Sequence, residues 1–529
     1  MFCRIPTAAH LFHQGGNKVL DFAKIRWKVV IWKPMSSKTA NERIIFGLKV
    51  RQRRQQMGLS FSDLSEASGL SVSYLNEIEK GKKFPKLEKI GALAEALRVP
   101  VQELMSTELA DGLAPVGDLL QSNFLRELPL DLFGIELSKV VEIIATAPKR
   151  VGAFISTLVE LSRNYALQEE NFYFGALRSY LEMHHNYFEE IEEDVVRFTD
   201  QHPLRATEGP PADQLARLLR EEYRYEIVEN GLDAYPELQD LRSVFLPKHR
   251  RLLLNSRLTG MQKAFQFGKE LGFQFLRLEQ RANTSSLLKV QSFEEALNHF
   301  KAGYFSAALL LPAEAFRADL QRFLQQSHWN ERLLLDLLER YQASPEMLFQ
   351  RMTNLLPHYF GLKQLFFLRF LHEPQRDSFR VDKELHLSRR HHPHSNGLYE
   401  HYCRRWSSLS LLHELDRRQR LGEEVGALVA CQRAAYYGTH DEYLLFTLAR
   451  PAYPDPTHNV SVTLGLLIDD DLRKQLRFLS DPAIPRLEVN VTCERCPIEH
   501  CTVRAAEPVV VRAKEKRREV QRTLERLGA

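Results

Sequence analysis

A short stretch from Ser60 to Lys80 contains two helix starts with a glycine between them. Ser60 is followed three residues later by Asp63, a variant of the capping box that closes the first turn of a helix. Gly69 is the residue type that best tolerates the turn at a helix end. Ser71 then caps a second helix, predicted from Val72 to Lys80. Two capped helices this close together predict a helix-turn-helix.

Three further helices complete the predicted domain, which spans residues 41–107 and contains five helices. The first is predicted to end near Met57, and the fifth to begin at Pro100. The side chains predicted to face the core are Ile44, Ile45, Leu48, Leu64, Ala67, Leu75, Ile78, Leu87, Ile90, Leu93, Ala94, Leu97 and Leu104.

The outward side of the Val72–Lys80 helix supplies the candidate base-reading residues Val72, Ser73, Asn76 and Glu77. An asparagine amide can donate to and accept from an adenine edge. The candidate phosphate contacts are Arg53, Arg54, Lys80, Lys82 and Lys83. Because the formal net charge of the chain is only +4, its affinity for double-stranded DNA has to come from such a local patch.

The segment Leu59–Pro85, with Ser71–Gly81 at its centre, resembles the phage-repressor-like xenobiotic-response-element (XRE) family. The resemblance implies a structural ion pair between Arg51 and Glu79. Domains of this kind read two half-sites, so a homodimer on an imperfect palindrome is expected. The alternative is a bundle of the same shape that binds only protein.

A chain of 529 residues is too long for one core, and the sequence predicts a multidomain, mainly α protein. Residues 1–40 form an extension, and Met35 is an alternative start of translation. The five-helix domain is followed by a helical connector at 112–207. Residues 212–355 form an α+β domain with one short strand near Arg251–Leu254, and residues 356–510 form a mixed α/β sensory domain. A charged helical tail at 511–529 is predicted to be a solvated face.

The segments Ala264–Phe273 and Tyr304–Pro312 resemble the metallopeptidase-like domain often fused to such repressors. A working member has H-E-x-x-H on a helix, in which two imidazoles one turn apart bind zinc. Lys269 and Phe273 stand at the two histidine positions, and neither side chain suits zinc, so Glu270 has no metal-bound water to activate. A degenerate, non-enzymatic domain is therefore expected. The rival hypothesis is a repressor-cleaving or stress-response metallopeptidase fused to the DNA-binding domain.

Three of the six cysteines cluster at Cys493, Cys496 and Cys501. Thiolates at this C-x2-C-x4-C spacing suit zinc or an iron-sulfur cluster, and a fourth ligand has to come from elsewhere. The alternative is three reduced cysteines on a turn. Cys431, isolated in an apolar run, is predicted to be a core residue.

The domain order resembles the short-chain fatty acyl transcriptional regulator family, with matching segments at Phe305–Pro312, Cys403–Trp406 and Cys493–Cys501. The resemblance implies Cys403 as the fourth ligand, a four-iron four-sulfur cluster with zinc as the alternative, and a short-chain acyl-coenzyme A as effector. It also implies control of genes for acetate, propionate or glyoxylate metabolism. Two arginines, Arg404 and Arg405, replace the Pro and apolar residue usual in the Cys403 motif. No apolar run could span a bilayer, so a cytoplasmic protein without a membrane partner is predicted.

Overall fold

The computed structural model describes residues 40–106, 169–202, 204, 209–285, 290–387 and 400–528. These residues fall into two compact units, one at 40–106 and one from 169 to 528, and each is described by itself. The predicted extension up to residue 39 and the predicted connector up to residue 168 lie outside the described residues.

The first unit consists of five helices: α1 (Ala40–Gln56), α2 (Phe61–Ser68), α3 (Val72–Glu79), α4 (Leu87–Ala96) and α5 (Val101–Met105). Their common core includes Phe46, Val50, Leu64, Leu75, Ile78, Ile90, Leu93, Leu97 and Leu104. The predicted capping box is confirmed, because Ser60 accepts from the backbone of Asp63, whose side chain accepts from the backbone of Ser60. Gly69 adopts a left-handed conformation with φ of 69°, and the predicted five-helix fold is confirmed.

Two residues predicted to face this core are exposed instead. Ala67 is exposed because the buried positions of α2 are Leu64 and Ser68, four residues apart rather than three. Leu87 is 69% exposed because it is the first residue of α4, before the helix reaches the core. The packing of α1 on α3 is close, since a Cβ atom on Gly47 would lie 2.2 Å from the carbonyl oxygen of Ile78.

The second unit begins with α6 (Glu169–Met183), α7 (Glu189–Gln201) and α8 (Ala212–Glu221). Helices α6 and α7 pack against α10 (Phe293–Leu310) and share its hydrophobic core. The buried guanidinium of Arg351 donates to both carboxylate oxygens of Glu192 on α7, at 2.5 and 2.8 Å. Helices α6 and α7 are therefore held by apolar packing and by a buried ion pair. The predicted boundary near residue 212 stays a prediction.

A small sheet and five helices follow α8. Strands β1 (Glu226–Val228), β2 (Ser243–Leu246) and β3 (Arg251–Leu254) form a sheet in the order β1-β3-β2. The prediction from sequence included only β3. The helices are α9 (Gly260–Phe275), α10, α11 (Ala313–Leu324), α12 (Arg332–Arg340) and α13 (Pro345–Phe360). This part has the predicted α+β composition.

Beyond α13 the chain forms a six-stranded sheet in the order β5-β4-β8-β7-β6-β9. Its strands are β4 (Leu365–Glu373), β5 (Ser378–His386), β6 (Leu428–Tyr436), β7 (Glu442–Pro451), β8 (Asn459–Leu467) and β9 (Arg486–Val489). All neighbouring pairs are antiparallel except β6 with β9. The mixed α/β prediction is confirmed here.

Both faces of this sheet are covered, which explains its long apolar runs. Phe366, Leu368 and Phe370 of β4 pack with α14 (Ser407–Arg420) in one core. Leu365 and Phe367 lie on the opposite face, in the core shared with the preceding helices. The short helix α15 (Asp470–Gln475) follows β8.

Helix α16 (Val509–Leu527) is exposed along almost its whole length, and none of its described side chains is buried. A charged helix is thus present at the predicted place, while its role as a solvated face stays a prediction. None of the helices in the described ranges is both long and apolar enough to cross a membrane.

Candidate functional site

The four candidate base-reading residues share the outward side of α3. Ser71 caps the helix by accepting from the backbone of Tyr74 at 3.3 Å, while Leu75 and Ile78 are fully buried. Val72 is 44% exposed and Ser73 is exposed. Asn76 and Glu77 are half-buried, one turn further along. The apolar anchors thus fix the rotation of α3 and place these four residues on its accessible side.

Three of the candidate phosphate contacts, Lys80, Lys82 and Lys83, are exposed at the end of α3. The backbone N–H groups of Lys82 and Lys83 both donate to the carbonyl oxygen of Glu77, which fixes the turn that carries them. The ammonium group of Lys83 lies 3.4 Å from the carboxylate of Glu77, and this ion pair is open to solvent. The side chain of Lys89, which sequence reasoning missed, stacks on the ring of Tyr74 at 4.3 Å and adds a cation beside α3.

Arg54 does not belong in the list of phosphate contacts. Its guanidinium donates two hydrogen bonds to the buried carboxylate of Glu79, at 2.6 and 3.0 Å, and a third to the carbonyl oxygen of Leu59. The hydrogen bond to Glu79 raises the pKa of Arg54. The predicted ion pair between Arg51 and Glu79 is therefore wrong, because Arg54, one turn later on α1, is the residue that reaches Glu79.

Arg53 is also engaged within the domain. Its Nε donates to the carbonyl oxygen of Leu97 at 3.2 Å, and its guanidinium contacts the side chain of Gln56. These bonds join α1 to the C-terminal end of α4. Contact of Arg53 with a phosphate stays a prediction. It would use Nη2, the guanidinium nitrogen that takes no part in these two hydrogen bonds.

Glu270, which the metallopeptidase resemblance aligns with the catalytic base, is part of a buried ion pair. Arg281 donates to both carboxylate oxygens of Glu270, at 2.6 and 2.7 Å. Tyr225 donates a further hydrogen bond to Glu270 at 3.0 Å. The guanidinium of Arg281 lies 3.7 Å from the ring centre of Phe273. The carboxylate that acts as base in a working peptidase is thus buried and neutralised.

Lys269, at the first predicted histidine position, is buried beside this ion pair. Its amine lies 2.8 Å from Nε2 of His299 and donates to the carbonyl oxygen of Ser285 at 3.2 Å. Burial lowers the pKa of Lys269 well below its usual value, and it also lowers the pKa of His299. This pair fills the space with hydrogen-bonded protein groups rather than with a ligand pair for zinc.

The segments that carry Cys403 and Cys493 run side by side. The N–H of Cys493 donates to the carbonyl oxygen of His401 at 2.8 Å, and the N–H of Cys403 donates to Val491 at 3.2 Å. Tyr402 and Thr492 form an isolated β-bridge between the two segments. The structure therefore brings Cys403, which only the family resemblance selected, next to the C-x2-C loop.

Arg504 holds the backbone of the cysteine loop, which is the segment from Cys493 to Cys501. Its guanidinium donates to the carbonyl oxygens of Cys493, Cys496 and Ile498, at 3.0, 3.1 and 2.5 Å. The N–H of Ala505 donates to the sulfur of Cys493 at 3.3 Å. An N–H group directed at a sulfur stabilises a thiolate, and such outer hydrogen bonds commonly support metal-bound cysteines.

The thiols differ in exposure. Cys403, Cys493 and Cys496 are buried, whereas Cys501 is half-buried. Burial raises the pKa of the Cys403 thiol to about 11 and also raises that of Cys496. Within the described ranges, no three His, Cys, Asp or Glu side chains form a preformed metal site. The loops thus bring soft donors near one another, but among the described residues no three of them are in ligating positions.

Cys431 lies apart from this cluster. It is on β6 and packs in the hydrophobic core on the other side of the sheet from Cys403. The prediction that Cys431 is a core residue is confirmed.

Comparison with known protein families matches two parts of the chain. Residues 50–104 match the family described as Helix-turn-helix. Residues 230–353 match the family described as IrrE N-terminal-like domain. These ranges contain α3 and the buried pair of Glu270 and Arg281.

Relatives share parts of the same organisation. The HTH-type transcriptional regulator RamB of Mycobacterium tuberculosis (strain H37Rv) is 26% identical over 312 residues, which covers 52% of this chain and 60% of RamB. The HTH-type transcriptional repressor RghR of Bacillus subtilis is 39% identical over 61 residues, or 11% of this chain and 45% of RghR. A solved structure of a Mycobacterium tuberculosis transcriptional regulator is 17% identical with a TM-score of 0.43, covering 63% of this chain and 93% of that one.

The match to RamB spans somewhat more than half the length of that regulator. With the two domain matches, it agrees with the resemblances seen in the sequence. The chain thus has an XRE-type helix-turn-helix domain and an IrrE-like domain, and it is homologous to the transcriptional regulator RamB.

Proposed function

We propose that this protein is a transcriptional regulator that binds double-stranded DNA with α3 of its first unit. The observation that carries the proposal is the outward side of α3, where Val72, Ser73 and Asn76 are accessible. The helix itself is held in place by the cap at Ser71 and by its buried residues. A helix presented in this way fits the major groove, where base edges are distinguishable.

The charges around α3 support the same proposal. Lys80, Lys82 and Lys83 form an exposed cationic edge at the end of the helix. Such residues bind phosphates regardless of sequence, whereas Asn76 is placed to distinguish bases. We further propose a homodimer on an imperfect palindrome, since helix-turn-helix domains read half-sites about one helical turn (10 base pairs) apart.

Selection of bound sequences from a random DNA pool, followed by footprinting of the selected site, tests this function. We expect an enriched palindrome with two protected half-sites, and binding that weakens steeply with salt. Enrichment of no sequence at all would contradict sequence-specific regulation. A single protected half-site with a monomeric complex would contradict the homodimer alone.

A short-chain acyl-coenzyme A is the proposed effector. The proposal comes from the resemblance to the short-chain fatty acyl transcriptional regulators and from the large part of the chain outside the DNA-binding unit. An effector can change operator affinity only if it binds the DNA-bound protein and the DNA-free protein with different affinities. Titration with acetyl-, propionyl- and longer acyl-coenzyme A, with free coenzyme A as control, should change operator affinity. An unchanged affinity across the series would contradict this part of the proposal.

We also propose a metal centre ligated by Cys403, Cys493, Cys496 and Cys501. Three observations support it. The segments that carry Cys403 and Cys493 are adjacent, Arg504 donates to the carbonyl oxygens of Cys493 and Cys496, and the N–H of Ala505 donates to the sulfur of Cys493. Four thiolates suit a four-iron four-sulfur cluster, and zinc is the alternative. An iron-sulfur cluster would supply a redox-sensitive group, whereas zinc would stabilise the fold alone.

The IrrE-like part is proposed to have no peptidase activity. The carboxylate of Glu270 is neutralised by Arg281, and Lys269 stands where the first zinc ligand is required. Zinc analysis of the full chain after Cys403, Cys493, Cys496 and Cys501 have been replaced by serine should find no stoichiometric metal. Stoichiometric zinc in this variant, together with cleavage of a repressor, would favour the peptidase alternative.

A further inference from the structure

A cavity of about 530 Å³ lies in the second unit, between the start of α9, the junction of α12 with α13 and the ends of β6 and β7. Its walls are mainly apolar and include Leu338, Val425 and Ala427. Arg450 contributes a guanidinium and Glu339 a carboxylate, which is paired with Arg332 at 2.9 Å. The volume is in the range of small-molecule sites in proteins, about 300–1,000 Å³. None of these residues belongs to α3, the cysteine loop or the former peptidase centre.

Arg450 connects this cavity to a group of buried charges, because it also lines a smaller neighbouring pocket with Arg242, Glu346 and Arg369. Glu346 is the central carboxylate of this group. It pairs with Lys383 and lies 3.5 Å from Arg369 and 3.8 Å from Arg242. Four cationic side chains are thus gathered around Glu346, and Arg369 forms a further ion pair with Asp382.

Arg450 is the cation of this group without a carboxylate of its own. Among the described residues its guanidinium has no hydrogen bond or ion pair, and its contact is the ring of Tyr453, 5.7 Å away. Burial lowers the pKa of Arg450 from its usual value, but an arginine stays protonated at neutral pH. Arg450 shares the charge of Glu346 with three other cations and has no hydrogen-bonded carboxylate among the described residues, so an anion is favoured in the adjoining space.

The start of α9 adds hydrogen-bond donors to the same cavity. Gly260 and Met261, its first two residues, line the cavity, and their N–H groups have no acceptor within the helix. The cap formed by Thr259 and Gln262 satisfies the next N–H group and leaves these two free for other acceptors. A negative group is therefore favoured by Arg450 and by a helix N-terminus.

We propose that this cavity binds an amphipathic organic anion. Its carboxylate or phosphate would lie at Arg450 and its apolar chain against Leu338, Val425 and Ala427. The proposal goes beyond regulation by an acyl-coenzyme A, since neither DNA binding nor coenzyme A recognition is needed for it. Charge at one end and apolar walls along the rest select against purely apolar molecules and against simple inorganic ions.

Isothermal titration of the full chain with three six-carbon probes tests the proposal. Hexanoate and hexyl phosphate carry the two candidate anions, and hexanamide is the neutral control of similar shape. We expect one or both anions to bind at least tenfold more tightly than hexanamide, and the tighter anion identifies the headgroup. Equal affinity for all three probes, or no binding of either anion, would overturn the proposal.

Two variants locate the site. Arg450→Met should weaken binding of the preferred anion at least tenfold, and Ala427→Trp should abolish it by filling the cavity. Arg473→Met, which removes an exposed arginine of α15, is the matched control and should bind as the unaltered protein does. Anion binding unaffected by both cavity variants would overturn the assignment. The comparison of anions with hexanamide in the unaltered protein stays decisive if a variant fails to fold.

Discussion

Arg54 on α1 donates two hydrogen bonds to Glu79 at the end of α3, at 2.6 and 3.0 Å, and the carboxylate is 4% exposed. This ion pair ties the helix proposed to read DNA to the helix that supports it. Because the guanidinium also binds the carbonyl oxygen of Leu59, it fixes the start of α2 as well. One arginine thus sets the positions of three helices.

Removing this arginine should destabilise the DNA-binding unit. Arg54→Met leaves the buried carboxylate of Glu79 without its partner, which costs about 3 kcal/mol for such a pair. Hydrogen exchange across residues 40–106 of the full chain should show the loss, and operator binding should weaken with it. Arg51→Met is the control and should be nearly neutral, and equal destabilisation by both changes would contradict the assignment of the pair to Arg54.

Asn76 and Lys82 should affect DNA binding in different ways. Asn76→Ala should relax the sequence preference at one position and cost about 1–3 kcal/mol on the selected operator if the amide contacts adenine. Lys82→Ala should weaken operator and random DNA by the same factor and reduce the salt slope by about one. Lys474→Ala, which removes an exposed lysine of the second unit, is the control. Equal losses on both kinds of DNA for Asn76→Ala would contradict its role in reading bases.

The helices of the first unit could be predicted because their signals are local. Ser60, Asp63, Gly69 and Ser71 act within one turn of their own positions, and the structure has each cap as the sequence indicates. The partner of Glu79 could not be predicted in this way. Arg51 and Arg54 lie one turn apart on α1, and which of them reaches Glu79 depends on the packing of α1 against α3.

The contacts of the second unit depend on residues far apart in the sequence. Glu270 is neutralised by Arg281 from a following loop, and Glu192 pairs with Arg351 across 159 positions. The cavity at Arg450 draws its walls from segments as distant as Thr259 and Tyr453. No local periodicity carries such information. The prediction from sequence does not include strands β1 and β2, which have only three and four residues, whereas the three consecutive leucines of β3 indicate a strand of four residues.

The pair of Glu192 and Arg351 should make the stability of the second unit depend on pH. Burial alone would raise the pKa of Glu192, but Arg351 and Tyr304 lower it below its usual value. A carboxylate with a lowered pKa contributes stability that is present above the pKa of the unfolded chain, about 4.3, and is lost as the pH falls through the folded value. The melting temperature of the unaltered protein should therefore fall below about pH 5.

Glu192→Gln tests this assignment. At pH 7 the variant should melt at a lower temperature, because Arg351 is fully buried and loses its counter-charge. The difference from the unaltered protein should shrink as the pH falls below about 4.3, where the carboxyl group of the unfolded chain takes up a proton that the folded, lowered-pKa carboxylate does not. Glu190→Gln, at an exposed neighbouring position, is the control. A difference that stays constant from pH 7 to 3.5 would contradict a titrating pair at this position.

The cysteine cluster should hold metal in protein purified without oxygen. An iron-sulfur cluster would colour the protein brown, whereas zinc would leave it colourless with one metal ion per chain. Cys496→Ser should remove the metal, and Cys403→Ser should do the same if Cys403 is the fourth ligand. Cys431→Ala is the matched control. This variant should keep the metal, because Cys431 packs in the core on the other side of the sheet.

Arg504→Met should weaken metal retention without removing a thiol, since the guanidinium of Arg504 donates to the carbonyl oxygens of Cys493 and Cys496. Metal analysis of the five proteins side by side separates these cases: absence of metal from the unaltered protein contradicts the centre, and retention in Cys403→Ser contradicts only its fourth ligand.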